Sequence, residues 1–151
     1  MMADLSFITP RLATGAALSS DGDALQVWEA GITHVIDCRG EFDDTIIFSK
    51  LPMMRVLWNG TPDDGEAKGS AWFGKSLEFA LDALSRPKTK VLAHCAAGVN
   101  RGPSTAYAIM LAFGFDPVAA TDIIHAKRPV TVGGIRYKLD AERAVHLLGY
   151  E

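Results

Sequence analysis

The sequence predicts an α/β fold, a central mostly parallel sheet flanked by helices. Two observations carry that prediction. Three short apolar, β-branched runs are spaced along the 151 residues, with helix-length amphipathic or apolar segments following the last two. The last run then passes through a glycine-containing turn straight into another apolar segment, the strand–turn–helix order of a parallel sheet.

Thr33–Cys38, "THVIDC", follows a break at Gly31 and reads as a buried strand. Met54–Trp58 and Lys90–His94 read the same way. Between them Ser70 is placed to cap a helix whose apolar face is Phe73, Leu77, Ala80, Leu81 and Leu84, with Pro87 as its stop. Ser104–Phe113 is apolar nearly all round, the pattern of a central buried helix. Asp116-Pro117 joins an N-cap to a proline at the first helical position and opens a helix to Lys127. A last helix is expected over Ile135–Leu148, while Arg39–Pro52 fits either a helix edging the site or a poorly ordered loop.

One domain, residues 1–151, is expected at this length. The formal charge of −3 gives no reason to expect nucleic acid or an anionic membrane as partner. Cys38 and Cys95 make neither a disulfide framework nor a zinc spacing. The opening "MMADLSFITPRLATG" lacks a signal-peptide pattern and no apolar stretch is long enough to span a bilayer, so a reduced, cytoplasmic protein is expected.

The chemistry concentrates in "HCAAGVNRGPS", His94–Ser104, between predicted strand and predicted helix. Small residues Ala96, Ala97 and Gly98 let the backbone curl so that successive amides converge on an anion, with a helix N-terminus behind them. Arg101 is spaced to grip two phosphate oxygens in a fork. The same positive field favours the Cys95 thiolate, a nucleophile aimed at phosphorus.

His94, Cys95, Gly98 and Arg101 match HCxxGxxR, and the chain thereby resembles the cysteine-dependent protein tyrosine phosphatases. The similarity is greatest to the dual-specificity phosphatases: "ITPRLATGAAL", "AGITHVIDCRGE" and "AKRPVTVGGIRYKLDAE" look like that family's opening segment, first core strand and C-terminal arginine-proline segment. The resemblance implies the family's fold, and hydrolysis of phosphotyrosine, with phosphoserine and phosphothreonine as further substrates, through a phosphocysteine intermediate. It implies phosphate binding by Ala96, Ala97, Gly98, Val99, Asn100 and Arg101, with His94, Gly102 and Ser104 in support. A phosphorylated protein or peptide is the expected partner, phosphate or sulfate the expected occupant of the loop, and no metal or organic cofactor is required.

Departure of the alkoxide or phenolate calls for a proton donor on a polar loop at the sheet's carboxyl edge. "NGTPDDGE", Asn59–Glu66, follows a predicted strand and fits that place. The resemblance places the acid at Asp63, with Asp64 as second choice, and the same carboxylate would serve as base for water. Pro-Asp-Asp-Gly is also an ordinary turn.

The chain departs from the family at three points. Gly102 stands where a serine or threonine hydroxyl helps the sulfur leave, so slow hydrolysis of the intermediate is expected. Asn100 stands where many members have serine, and RNA 5′-triphosphatases of the superfamily often have asparagine. Gly133 and Gly134 replace an asparagine that precedes the last helix. An RNA 5′-triphosphatase-like phosphohydrolase and a weakly active or inactive phosphate-binding pseudophosphatase are therefore the alternatives. Lipid-directed relatives tend to carry lysines in the loop, unlike Ala96, Ala97 and Val99 here.

His34, His125 and His146 have no metal-ligand spacing and read as structural or surface residues, while Arg128 fits the pocket rim, the surface or a packing position. Trp58 and Trp72 flank the acid loop and read as core packing, with substrate contact the alternative. Cys38 reads most simply as a buried strand residue; some relatives protect an oxidised nucleophile with a second cysteine, and the resemblance makes a Cys38–Cys95 disulfide on oxidation the alternative.

Overall fold

The computed structural model describes residues 3–150. In chain order its elements are β1 (Leu5–Thr9), β2 (Leu12–Gly15), α1 (Asp21–Glu29), β3 (His34–Arg39), β4 (Arg55–Thr61), α2 (Ser70–Leu84), β5 (Val91–His94), α3 (Arg101–Ala112), α4 (Pro117–Lys127) and α5 (Lys138–Leu147). A turn of 3-10 helix, Pro129–Thr131, joins α4 to the α5 region. The five strands form one sheet in the order β1-β2-β5-β3-β4. Only β1–β2 is antiparallel; β2–β5, β5–β3 and β3–β4 are parallel. The predicted mostly parallel sheet is thus observed, with β5 at its centre and the turn after His94 at its carboxyl edge, where ligands of such sheets gather.

Period-two alternation divides the core. Val91 and Ala93 of β5, with Ile36 and Cys38 of β3, belong to a cluster that also takes in α2, α3, α4 and α5. Leu92 and Val35 point into a second cluster with Ala24 and Val27 of α1 and with Ile47, Phe48 and Met54. Every residue of α3 from Arg101 to Leu111 is buried, as its all-round apolar pattern predicts.

Several boundaries differ from the sequence reading. Ser70 is the first residue of α2, and Gly69 holds the cap position without a side-chain bond. The central helix begins at Arg101 rather than Ser104, because Pro103 falls in its first turn, where a proline removes no helical hydrogen bond. The last helix begins at Lys138 rather than Ile135: Ile135 has φ of 59° and donates its N–H to Val99 O instead. β4 runs past Trp58 to Thr61, where it pairs with Arg39 after a register irregularity.

β1, β2 and α1 are not legible as elements in the short mixed segments "LSFIT", "LATG" and "DGDALQVWE". Their order comes from pairing and capping: β2 is sandwiched by β1 and β5, and the Ser20 hydroxyl accepts from Asp23 N–H at 3.1 Å. The stretch after Arg39 is a run of turns that buries Asp44, Ile47 and Phe48, so it is neither the edging helix nor the poorly ordered loop expected from the sequence. It is closed by Ile47 and Phe48 N–H groups donating to Asp44 O. Among the described residues no helix is long and apolar enough to cross a membrane.

Candidate active site

The backbone between β5 and α3 is held from outside by its carbonyls. Ala96 O accepts from Ala17 N–H at 2.9 Å, Val99 O from Ile135 N–H at 2.9 Å and Asn100 O from Ser104 N–H at 2.8 Å. Ala97 O and Gly98 O accept from the Arg128 guanidinium at 3.4 and 2.8 Å. The N–H groups of Ala96, Ala97, Gly98, Val99 and Asn100 bond to nothing among the described residues. A loop whose carbonyls are all taken and whose successive amides are all free is an anion-binding nest. Gly98 is required there: it has φ of 71°, and a Cβ would lie 2.3 Å from Arg128 Nη2 and 2.8 Å from the Gly15 carbonyl carbon.

Cys95 opens this loop, buried, with its N–H donating to Gly15 O at 3.1 Å. Arg101, the first residue of α3, is also buried. Its Nη1 and Nη2 donate to Glu41 Oε1 and Oε2 at 2.7 and 3.0 Å, and Nη1 also reaches Thr61 O at 2.9 Å. The Nε of Arg101 is buried and without a partner among the described residues. The guanidinium is therefore anchored along one edge, and the Nε–Nη2 edge is the one a phosphoryl group can take in a fork. The same bond holds the Glu41 carboxyl down to about 2, with the charges of Arg101 and Arg39 adding to it.

Asp63 lies in the loop after β4, with its side chain one-third exposed. Its Oδ1 accepts from Tyr137 Oη at 2.7 Å and its Oδ2 from Asn100 Nδ2 at 3.2 Å; Arg136 Nη1 stands 3.4 Å away. Partial burial alone would raise this carboxyl, but the Tyr137 and Asn100 donors and the charges of Arg136 and Arg101 hold it below the ordinary value. Asp64 is turned into its own loop, where its Oδ1 accepts from Lys68 Nζ at 2.9 Å and from Glu66 N–H at 3.0 Å. Of the two aspartates, only Asp63 touches the loop that carries Cys95.

Beneath the loop lies a buried polar cluster. His94 Nε2 is 2.6 Å from Asp44 Oδ2, and its Nδ1 is 3.4 Å from Cys95 O. Asp37 Oδ2 accepts from Asp44 N–H at 3.1 Å, and Asp37 Oδ1 accepts from Arg39 Nε at 3.1 Å. Burial and the neighbouring Asp44 push the Asp37 carboxyl up to about 6. Asp37, Asp44 and His94 converge within 4.8 Å as a metal site would, but the Arg39 guanidinium beside Asp37 opposes a cation. The cluster ties His94 to the turn that presents Glu41.

The structure therefore brings His94, Cys95, Ala96–Arg101 and Asp63 into one place and leaves Asp64 outside it. Gly102 packs against the strand: a Cβ there would stand 3.0 Å from Ala93 O and His94 Cα, so a larger residue fits only if the backbone gives by a few tenths of an ångström. The Ser104 hydroxyl accepts from Tyr137 N–H at 3.3 Å and steadies the neighbour of Asp63, while its backbone N–H holds the loop through Asn100 O. Arg128 is buried behind the loop rather than on the rim. Trp72 Nε1 donates to Asn59 O at 2.8 Å and fixes the start of the acid loop, whereas Trp58 Nε1 donates to Arg39 O at 2.6 Å. Cys38 and Cys95 are both free thiols; Cys38 Sγ lies 3.5 Å from Thr105 Oγ1, and burial pushes its thiol far up.

Sequence reasoning missed Glu41, Asp44 and Tyr137. The only signal for the first two is charge immediately after a buried strand, in the stretch with no clear period. Tyr137 carries no local signal.

A family model for the dual specificity phosphatase catalytic domain matches residues 18–139. Dual specificity protein phosphatase 13B of Mus musculus is 27% identical over 140 residues, covering 85% of this chain and 67% of that protein. Human DUSP28 superposes with a TM-score of 0.78 at 17% identity, over 99% of this chain and 97% of the other. The human tyrosine phosphatase-like serine/threonine/tyrosine-interacting protein gives 0.75 at 19% identity, over 97% of this chain and 98% of the other.

Proposed function

This chain belongs to the dual specificity phosphatase family, and from that premise we propose that residues 1–151 form one catalytic domain hydrolysing phosphotyrosine, phosphoserine and phosphothreonine through a phosphoryl group carried on Cys95. The observation that carries the reading is the pairing of five unpartnered amides with the unpartnered, buried Nε of Arg101, a set of donors suited to a phosphate dianion.

In the first step the Cys95 thiolate attacks phosphorus. The P–O bond to the substrate breaks, and the departing oxygen takes a proton from Asp63. In the second step water attacks the phosphocysteine, Asp63 carboxylate takes the water's proton, and the S–P electron pair returns to sulfur. The amides of Ala96–Asn100 and the Arg101 fork hold the equatorial oxygens throughout, so no metal is needed for charge neutralisation. The absent hydroxyl at Gly102 makes the second step the slower one. The nucleophile must stay reduced, which fits a cytoplasmic setting with phosphorylated proteins as substrates.

A stopped-flow assay with 4-nitrophenyl phosphate on wild type and Cys95→Ser tests this. The expected result is a Cys95-dependent burst of nitrophenolate followed by slower steady release. Phosphate binding with neither burst nor turnover would replace the enzyme with a phosphate-binding pseudophosphatase.

A further inference from the structure

The geometry points to Tyr137 and Asn100 as positioning residues that clamp the Asp63 carboxyl against the signature loop and set the pH above which it ceases to donate a proton. This rests on the reading of Asp63 as the general acid. Asp63 sits in a solvent-facing loop, where a carboxylate would ordinarily be free to swing; here both of its oxygens are held. Tyr137 Oη donates to Oδ1 at 2.7 Å and Asn100 Nδ2 to Oδ2 at 3.2 Å.

Each donor is itself fixed. Tyr137 is almost wholly buried, accepts from Gly65 N–H at 3.1 Å through its hydroxyl, and donates its backbone N–H to Ser104 Oγ at 3.3 Å. Since Gly65 lies two residues after Asp63, one phenol oxygen pins both the acid and its loop. Asn100 Oδ1 accepts from Arg136 N–H at 3.1 Å, which leaves only the amide NH2 to face Asp63. The departure at Asn100 thereby acquires a use: one side chain links the phosphate loop, the acid and the segment before α5.

Hydrogen bonds donated to a carboxylate favour its charged form. The charged groups that act on Asp63 are Arg136 before α5 and Arg101 at the signature loop, while the Asp64–Lys68 pair closes on itself in the same acid loop. Lys68 Nζ also stands 5.1 Å from the Tyr137 ring centroid, and its N–H donates to Asp140 of α5. Tyr137→Phe keeps the ring and all of these charges and removes the hydroxyl, which both donates to Asp63 and accepts from Gly65 N–H. The carboxyl then keeps its proton to higher pH, while its orientation loosens.

The test is the pH profile of kcat/KM with phenyl phosphate, whose leaving group needs a proton, for wild type, Tyr137→Phe, Asn100→Ala, Asp63→Asn and the Asp63→Asn/Tyr137→Phe double variant. Tyr137→Phe and Asn100→Ala are expected to move the alkaline limb upward and lower the plateau by roughly 3- to 10-fold, the loss expected of a misaligned acid. Adding Tyr137→Phe to Asp63→Asn is expected to move nothing further. An unmoved limb in Tyr137→Phe and Asn100→Ala, whatever the plateau does, overturns the clamp. A wild-type limb retained by Asp63→Asn overturns the acid assignment itself, a result distinct from the first.

Discussion

Arg101 and Arg128 are both about 3% exposed and serve the same loop, yet they are wired differently. Each is gripped by a carboxylate fork: Glu41 takes the Nη atoms of Arg101 at 2.7 and 3.0 Å, and Asp4 those of Arg128 at 2.9 and 3.0 Å. The remaining donors diverge. Arg128 directs Nε to Gly98 O at 2.8 Å and Nη1 to Ser6 Oγ at 3.1 Å, whereas Arg101 Nε meets no acceptor. A buried donor left unpaired costs about 1–3 kcal/mol, and more when charged. The fold satisfies one arginine and leaves the other short, which separates a residue that shapes the loop from one reserved for what enters it.

The comparison is sharpest for substitutions that keep charge or bulk. Arg101→Lys should lower kcat/KM by about 10³-fold, since a point charge replaces a fork at the transferring phosphoryl group. Its denaturation midpoint should barely move, because Glu41 is half-exposed and readily solvated. Equal unfolding of Arg101→Lys and Arg128 variants would break the distinction. Arg128→Met should instead cost about 2–4 kcal/mol in urea unfolding, with Ala97 and Gly98 carbonyls left unpaired. Its activity per folded molecule should fall less than that of Arg101→Lys.

The smallest effect belongs to Glu41→Gln. The Arg101 hydrogen bond lowers the Glu41 pKa from 4.5 to about 2, so its charge favours the folded state above pH 4.5. That advantage is lost as pH falls from 4.5 towards 2, and the stability difference between wild type and Glu41→Gln should shrink over that window. A difference independent of pH there would mean that Glu41 acts through packing alone.

Much of this site was legible because its centre is contiguous. His94–Arg101 declares a strand, a curled loop and a helix within eight residues, and each requirement falls on a distinct residue type. The buried strands β3 and β5 were legible for the same reason, as local β-branched runs. Glu41, Asp44 and Tyr137 were not, because nothing near them in sequence says what they face. Arg101 meets Glu41 across 60 positions and Asp63 meets Tyr137 across 74. Boundary errors had local causes: Pro103 looks like a breaker until it lies in a first turn, and Ile135 looks helical until its N–H is drawn to Val99. The missing hydroxyl at Gly102 was visible in the sequence; the close approach of His94 and Ala93 to that position was not.

The outward bonding of the loop carbonyls carries a kinetic consequence. The motif is complete at Arg101, but Ala97 and Gly98 are held only when Arg128 is in place, and Val99 only when Ile135 is. Both partners lie downstream of the motif, so neither contact exists until those residues have been made. A chain emerging from the ribosome therefore displays the whole signature well before it owns a formed cradle, and the nucleophile acquires its surroundings only once the sequence beyond α4 has docked.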